Sequence, residues 1–411
     1  MKILLYSMNF SPEMAGIGKY SGEMADWLKK KGHDVRVIAA PPYFPQWKPF
    51  IGYNAWSYTA TAWNGIPVWR APTWIPAKPG GLTRILHLAT FMFSSMPLLV
   101  LNLRWKPDVV MVVEPPLFCA PAVLAFSKLL RIKSWLHIQD YELDAAFELG
   151  LMRGNRSRRM AESAERWLLN KFSRVSTISS QMVERARDKG TANSRLVLFP
   201  NWVDVSSIYP LAGRNAYRDT LLIPQDAVVV LYSGSMGRKQ GLDVLSAAAR
   251  QLDTDRNIHF VFCGNGPTRD ELANQCTDLP NVHFMDLQPV ERLGDLLGLA
   301  DIHLLPQRAD AADLVMPSKL TGMLSSGRPV LAGARADTEL GQVVATCGRI
   351  VPPEDAHAFA DAMLSLASQP ELRRELGAKA RACAEARFAR DAVLERFERD
   401  LQTCIDARRA R

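Results

Sequence analysis

The sequence predicts an α/β protein made of two doubly wound, Rossmann-like domains that face each other. Three observations carry the prediction. Short apolar runs alternate with amphipathic stretches, the rhythm of βαβ units and parallel sheets. The rhythm breaks over residues 200–224, where Pro200, Pro210, Gly213 and Pro224 interrupt it, and then starts again. The length of 411 residues also exceeds one ordinary core and suits two domains.

Taken in order, strands of the first half fall at residues 3–6, 35–39, 109–113, 134–138 and 174–178. Helices over 18–31, 116–130 and 158–172 lie between them. The restart places strands at 228–232, 258–263, 282–284, 302–305 and 329–331, and residues 371–411 read as two helices rich in Ala, Arg and Glu. The expected domain limits are 1–205 and 206–385, with a last helix over 386–411 packing back on the first domain. No segment recurs at a period of about 20–50 residues, which excludes a solenoid.

Residues 41–81 depart from this rhythm. They hold eight of the 26 prolines and five of the ten tryptophans: Trp47, Trp56, Trp63, Trp69 and Trp74. Such a stretch reads as a long insertion with a functional role. Tryptophan combines an apolar plate with a polar N–H and suits sugar faces and membrane interfaces alike, although some of these rings must plug the core. Trp47 and Trp74 are candidates for the acceptor side. Residues 88–103 follow without a charge, but 16 residues fall short of a span and include Ser94, Ser95 and Pro97. A buried or interfacial helix is expected there.

Hydrophobic residues make up 48% and charged residues 22%, which places the chain among soluble globular proteins. The six cysteines form no CxxC pair, so buried thiols of a reducing compartment are expected, with no disulfide framework or zinc site. Met1-Lys2 runs straight into the first strand without a secretory leader, and a cytoplasmic protein is expected. The net charge of +8 is uneven: residues 1–200 hold 26 Lys/Arg against 14 Asp/Glu, and residues 201–411 hold 24 against 28. A basic first half suits an anionic partner, nucleic acid, phosphate or an acidic membrane face, or simply aids solubility.

Chemistry concentrates at the turns after strands. Ser11–Lys19 follows the first strand and opens a helix, where Gly16 and Gly18 let backbone N–H groups approach a phosphate or sugar. A tight turn without a ligand has the same residues, and Ser21 replaces the third glycine of a dinucleotide fingerprint. The stretch Tyr232–Gly241 carries Gly234, Ser235, Gly237 and Gly241 with Arg238 and Lys239 between strand and helix, a diphosphate site by composition. Gly264 and Gly266 form a second turn at a strand's C-terminal edge, where open α/β sheets bind ligands. Pro317, Ser318 and Lys319 start a third helix and aim N–H groups and a cation at an anion. In the first half His137-Ile138-Gln139-Asp140 ends a strand, so His137 and Asp140 are expected in one cleft, or His137 is a satisfied structural residue. No nucleophilic Ser/His/Asp set and no metal-ligand cluster stands out.

Together these segments, with Pro200-Asn201-Trp202-Val203-Asp204 and Pro317–Pro329, resemble the family 4 retaining glycosyltransferases of the GT-B fold. They cover nearly the whole chain in the expected order. The nearest likeness is to a branch of bacterial exopolysaccharide and O-antigen enzymes that includes colanic-acid fucosyltransferases and N-acetyl-fucosamine transferases. The resemblance implies two facing domains with an interdomain cleft. It implies a GDP- or UDP-sugar donor of the fucose type, a lipid-linked saccharide acceptor, transfer with retention, and no metal or other cofactor. No nucleic-acid partner is expected; the basic first half and the Trp-rich insertion fit an anionic membrane face, with the protein peripheral on the inner side of the plasma membrane. Arg153, Arg156, Arg158, Arg159 and Arg166 add attraction to anionic lipid in this reading, or form one solvated helix face.

Two departures mark the sequence. The family places Arg directly after the glycine at 234 and Lys just before that at 241; here stand Ser235 and Gln240, leaving Arg238 and Lys239 to supply charge. The family's two glutamates, eight residues apart, fall on Leu314 and Gly322, with Asp310, Asp313 or Glu339 as acidic substitutes. On this reading Arg238, Lys239, Lys319 and the N–H groups of Gly16, Gly234 and Ser318 stabilise the departing phosphate, and His137 orients sugar or phosphate. A nucleotide-sugar epimerase on the same fold, or a non-catalytic sugar-nucleotide-binding subunit, are the competing classes. Incubation of donor without acceptor separates the first, because only an epimerase converts it.

Overall fold

The computed structural model describes residues 1–78, 80–143, 155–213, 215–255, 257–309 and 316–409. The chain forms two compact units, Met1–Pro200 with Leu394–Arg411, and Asn201–Val393.

In the first unit the chain runs through β1 (Lys2–Ser7), α1 (Gly16–Lys30), β2 (Asp34–Ala39), β3 (Thr59–Trp63), β4 (Ile66–Arg70), α2 (Gly81–Leu101) and β5 (Val109–Glu114). It continues with α3 (Ala120–Leu130), β6 (Lys133–Ile138), α4 (Asn155–Leu169), β7 (Arg174–Thr177), α5 (Ser180–Asp188) and β8 (Leu196–Leu198). The eight strands lie in the order β3-β4-β2-β1-β5-β6-β7-β8, parallel except for the β3–β4 pair. Register at the centre sets Ile3 opposite Val35 on one side and Val109 on the other. Strands covered on both faces read as unbroken apolar runs, and β1 is buried from Ile3 to Ser7. α1 buries Tyr20, Met24, Trp27 and Leu28 on one helical face and ends on Lys29 and Lys30, which complement its dipole. The C-terminal segment completes this unit: Phe397 stacks on Phe199 at 4.1 Å and meets Trp135 edge-on at 5.3 Å.

The second unit contains α6 (Ala216–Thr220), β9 (Val228–Ser233), α7 (Asp243–Gln251), β10 (Ile258–Cys263), α8 (Arg269–Gln275), β11 (Val282–Met285) and α9 (Leu293–Gly298). Then follow β12 (Ile302–Leu305), α10 (Lys319–Ser325), β13 (Val330–Gly333), α11 (Glu339–Cys347), β14 (Gly348–Val351), α12 (Ala356–Ala367) and α13 (Pro370–Cys383). Its six strands are all parallel in the order β11-β10-β9-β12-β13-β14. The chain steps one way from β9 and returns to the other side at β12. The carboxyl ends of these two strands flank the switch point where such sheets bind ligands. A five-residue π-turn, Ala384–Phe388, leads into α14 (Arg390–Arg409). Both Rossmann-like sheets expected from the sequence are present.

The 41–81 stretch differs from the expected loop. It contributes β3 and β4, joined through Asn64 and Gly65, both at positive φ, and β4 adds a parallel strand beside β2. The Asn-Gly pair is the hairpin signal that reveals this turn. Pro67 is exposed, while Ile66 and Val68 on either side of it are buried. The apolar helix begins at Gly81 rather than 88, with Thr83 Oγ1 accepting from the Gly80 N–H at 3.0 Å.

Candidate functional site

β9 is buried throughout, and the chain leaves it at Gly234, whose φ of +133° suits glycine. The Gly234 N–H donates to the Cys263 carbonyl at 2.9 Å and the Met236 N–H to Asn265 at 2.9 Å. These two bonds lay the turn after β9 directly on the turn after β10. A Cβ on Gly264 would stand 1.9 Å from the Gly234 oxygen, and one on Gly266 would stand 2.3 Å from that of Met236. The glycines at 264 and 266 are thus set by backbone packed on backbone. The Gly234 N–H expected to meet a phosphate is already committed. What Gly234 supplies instead is the absence of a side chain over Lys319.

Lys319 opens α10 and its side chain lies against the same turn: a Cβ on Gly234 would sit 3.5 Å from its Cδ and 3.8 Å from its Nζ. The ammonium stands 4.0 Å from the centre of the Tyr232 ring. Nζ is shielded from solvent and has no hydrogen-bond partner among the described residues. Burial brings its pKa down to about 7. Burying a cation is costly, and the aromatic face offsets part of that cost. Tyr232 is itself fixed by donating its hydroxyl to the Ser235 carbonyl at 2.5 Å. A phosphate oxygen is the natural missing partner of such an ammonium.

Arg238 and Lys239 occupy a short 3-10 turn and are exposed. Gln240, at the family's lysine position, accepts from the Gly237 N–H at 3.0 Å and so shapes the turn. Arg238 lines a recess of about 310 Å³ together with Asp243, Thr268, Glu271 and Arg308. Arg308 is paired with Glu354 at 3.2 Å. The structure therefore gives Arg238 a setting of mixed charge, unlike that of Lys319. A larger recess of about 610 Å³ lies near Pro329 and Arg373, by the N-terminal end of β13, the opposite edge from these turns.

Pro317 and the exposed Ser318 precede α10, and the Pro317 carbonyl accepts from the Leu320 N–H at 3.0 Å. The Ser318 hydroxyl makes no capping bond. Glu339 begins α11 and lies 3.9 Å from Arg387. Asp310, Asp313 and Leu314 fall outside the described residues, as do Arg153 and the side chain of Arg156. Arg158, Arg159 and Arg166 are exposed on α4, with Arg158 bonded to Glu162 at 2.8 Å.

In the first unit the loop after β1 is organised by Glu13, a residue the sequence reading passed over. Its buried carboxylate accepts from the N–H groups of Tyr43 and Phe44 at 2.9 and 3.0 Å and from Asn9 at 3.0 Å. A Cβ on Gly18 would stand 2.4 Å from Glu13 Oε2. Gly18 is thus a packing partner of Glu13 and not an open phosphate contact, while Gly16 stays exposed at φ +57°. Burial raises the Glu13 pKa above the usual carboxylate range.

His137 is the penultimate residue of β6 and is 3% exposed. One ring nitrogen meets Ser176 Oγ and the other Gln139, both at 2.9 Å, and burial holds the pKa down to about 3. His137 is thus buried with both ring nitrogens bonded, the satisfied structural alternative, rather than projecting into a cleft with Asp140, which is exposed. With a folded pKa far below its ordinary 6.5, His137 stays neutral in the fold, and its neutral form stabilises the fold above about pH 6.5, an effect lost as pH falls toward 3. Exchange of His137 for Gln should therefore leave the shape of the pH–rate profile unchanged between about pH 6 and 9. A profile that loses a limb in this variant would restore a proton-transfer role.

Two further carboxyls lie beside it. Glu114 ends β5, completely buried, and accepts from the Glu142 N–H at 3.3 Å; Glu142 accepts from Leu117 at 2.6 Å. Burial raises both pKa values, that of Glu142 to about 7. The signal for Glu114 is a lone acid closing an apolar strand before Pro115-Pro116. Trp47 packs 5.3 Å from Tyr43 and from His87, and His87 Nδ1 bonds the Trp74 carbonyl at 2.6 Å. The two tryptophans are thus brought together around one histidine, both half-buried.

Residues 15–202 match the glycosyl transferase 4-like domain and residues 213–382 match glycosyl transferases group 1. The chain is 41% identical over 411 residues to "Putative colanic acid biosynthesis glycosyl transferase WcaI" of Escherichia coli (strain K12), covering 98% of this chain and 100% of that one. Among solved structures, a sucrose-phosphate synthase from Thermosynechococcus elongatus has a TM-score of 0.75 at 16% identity, over 99% of this chain and 100% of that one. Anabaena Alr3699/HepE, solved with UDP and glucose, has a TM-score of 0.70 at 16% identity, over 98% and 99%. These structures share the fold.

Proposed function

The chain belongs to the group 1 glycosyl transferases, and from that membership we propose that it moves a sugar from a nucleoside-diphosphate donor to a saccharide acceptor with retention. The observation that carries the donor half is the shielded ammonium of Lys319 against the Gly234 turn, with no hydrogen-bond partner among the described residues. Breaking the bond from the sugar C1 to the phosphate oxygen leaves negative charge on the diphosphate. A fixed cation in a shielded site stabilises that charge as it forms. The acceptor hydroxyl forms the new bond at C1, and its proton passes to the departing phosphate oxygen, so no strong protein base is needed. Ser235, Arg238 and Lys239 border the same turn from the solvent side.

The likeness to a protein named for colanic acid biosynthesis supports a place in extracellular polysaccharide assembly; the donor in this proposal is a GDP- or UDP-sugar of the fucose type and the acceptor a lipid-linked saccharide at the cytoplasmic membrane face. Positive charge from Lys319 takes the place that a metal fills in other sugar-nucleotide enzymes. Transfer should therefore survive EDTA, and loss of turnover that added magnesium or manganese restores would refute the metal-free reading.

A thermal-shift panel of UDP-, GDP- and other nucleotide sugars tests the donor. One nucleotide class should raise the melting temperature of the wild type and fail to do so with Lys319→Ala. If no nucleotide sugar stabilises the wild type, the donor reading falls.

A further inference from the structure

The apolar helix α2 is held along its length by one face only. His87, Leu88, Phe91, Ser95, Leu98 and Leu99 are buried, and Phe91 lies 5.6 Å from the Tyr6 ring. The opposite face carries Leu82, Leu86, Phe93 and Val100, spaced by four and then seven residues, which forms a continuous stripe on a helix. These side chains are 71, 48, 65 and 63% exposed. Tyr58 donates its hydroxyl to the Ser94 carbonyl at 2.7 Å, and Trp56, two residues earlier in the chain, is 74% exposed. Isolated exposed apolar residues are ordinary, but a stripe of this length marks a surface that is covered in use.

Charge says what covers it. Between Asp34 and Asp108 the chain contains no Asp or Glu, yet seven Lys or Arg. Lys78 precedes the helix and Arg104 and Lys106 follow it, all exposed. The stripe is thus bracketed by cations at both ends with no acid near it in sequence. We propose that this face docks on an anionic lipid bilayer, with α2 lying in the membrane plane and its stripe at the acyl boundary. The helix is long and apolar enough to cross a membrane. Its six buried residues hold it flat instead, because a span would have to pull them from the core. The proposal rests on the lipid-linked acceptor reading for its purpose: it sets the first unit at the surface where such an acceptor is found.

Flotation of the full chain with vesicles of phosphatidylcholine, with and without phosphatidylglycerol, tests it. The wild type should float with the anionic vesicles at low salt and far less with neutral ones. Phe93→Glu/Val100→Glu should weaken that binding at least about tenfold, and Lys78→Ala/Arg104→Ala should remove the preference for anionic lipid. A wild type that ignores anionic vesicles overturns the proposal, as does a stripe variant that floats unchanged. A wild-type dimer that the stripe variant splits also overturns it, by making a second copy the occupant. Retention of the donor-induced thermal shift shows that a variant is folded, with Phe93→Ser as the milder alternative. Flotation without a donor shift in the wild type would fault the donor reading alone, and a donor shift without flotation would fault the docking face alone.

Discussion

Lys319→Met should lower transfer roughly a hundredfold, corresponding to about 3 kcal/mol of charge stabilisation. Methionine keeps the length and apolar contacts of the lysine stem and removes only the ammonium. The effect should fall on kcat as well as KM, because the diphosphate becomes more negative as its bond to the sugar breaks. The pH dependence follows from the depressed pKa near 7, against an unperturbed 10.5. In the unliganded fold Lys319 gives up its proton near pH 7, whereas the unfolded chain keeps it to about pH 10.5. The unfolded state therefore binds more protons across this window, and the stability of the unliganded protein rises with pH there. Donor affinity runs the other way, falling as pH rises above about 7, because the diphosphate needs the charged form. Both trends should disappear in Lys319→Met, and a variant that keeps them would assign them to another group.

Gly264→Ala should destabilise the second unit by about 3 kcal/mol and abolish donor binding, since one methyl cannot fit without moving the Gly234 turn. The built Cβ stands 1.9 Å from the Gly234 oxygen, a backbone atom that cannot swing aside as a side-chain tip does. For a unit of this size the melting temperature should drop by roughly 6–12 °C. Gly213→Ala supplies the control. Gly213 has φ +88° but nothing within 4 Å of its built Cβ, so only conformational strain of about 1–2 kcal/mol remains. Equal melting temperatures for the two variants in a calorimetric scan would contradict the close-packing account.

The central strands of both sheets were legible because parallel strands covered on two faces leave continuous apolar runs, as in Val228–Ser233 and Ile258–Cys263. The edges were not. β3 has mostly exposed positions in Thr59–Trp63, and β14 starts at Gly348, so neither carries a burial signal strong enough to read. At the site, Lys319 was legible as a cation at a helix start, but its shielding from solvent was not. That depends on the Tyr232 ring and on the missing side chain of Gly234, both more than 80 residues away in sequence. The two readings of Gly18 have a related origin: a glycine that admits a phosphate and one that admits Glu13 look alike until the carboxylate is placed. His137 lies on a strand that the apolar run marks, but β6 is buried on both faces and carries no alternation that says which way the ring points.

The Lys319 grip is tested most directly by proton uptake on donor binding. Titration calorimetry at pH 8 with whichever of UDP or GDP binds, run in buffers of different ionisation enthalpy, counts protons taken up with the diphosphate. The wild type should take up close to one proton per nucleotide, because a group that is mostly neutral at that pH must become charged. Lys319→Met should take up none. Binding without proton uptake in the wild type, or the same uptake in both proteins, would show that the diphosphate is held elsewhere.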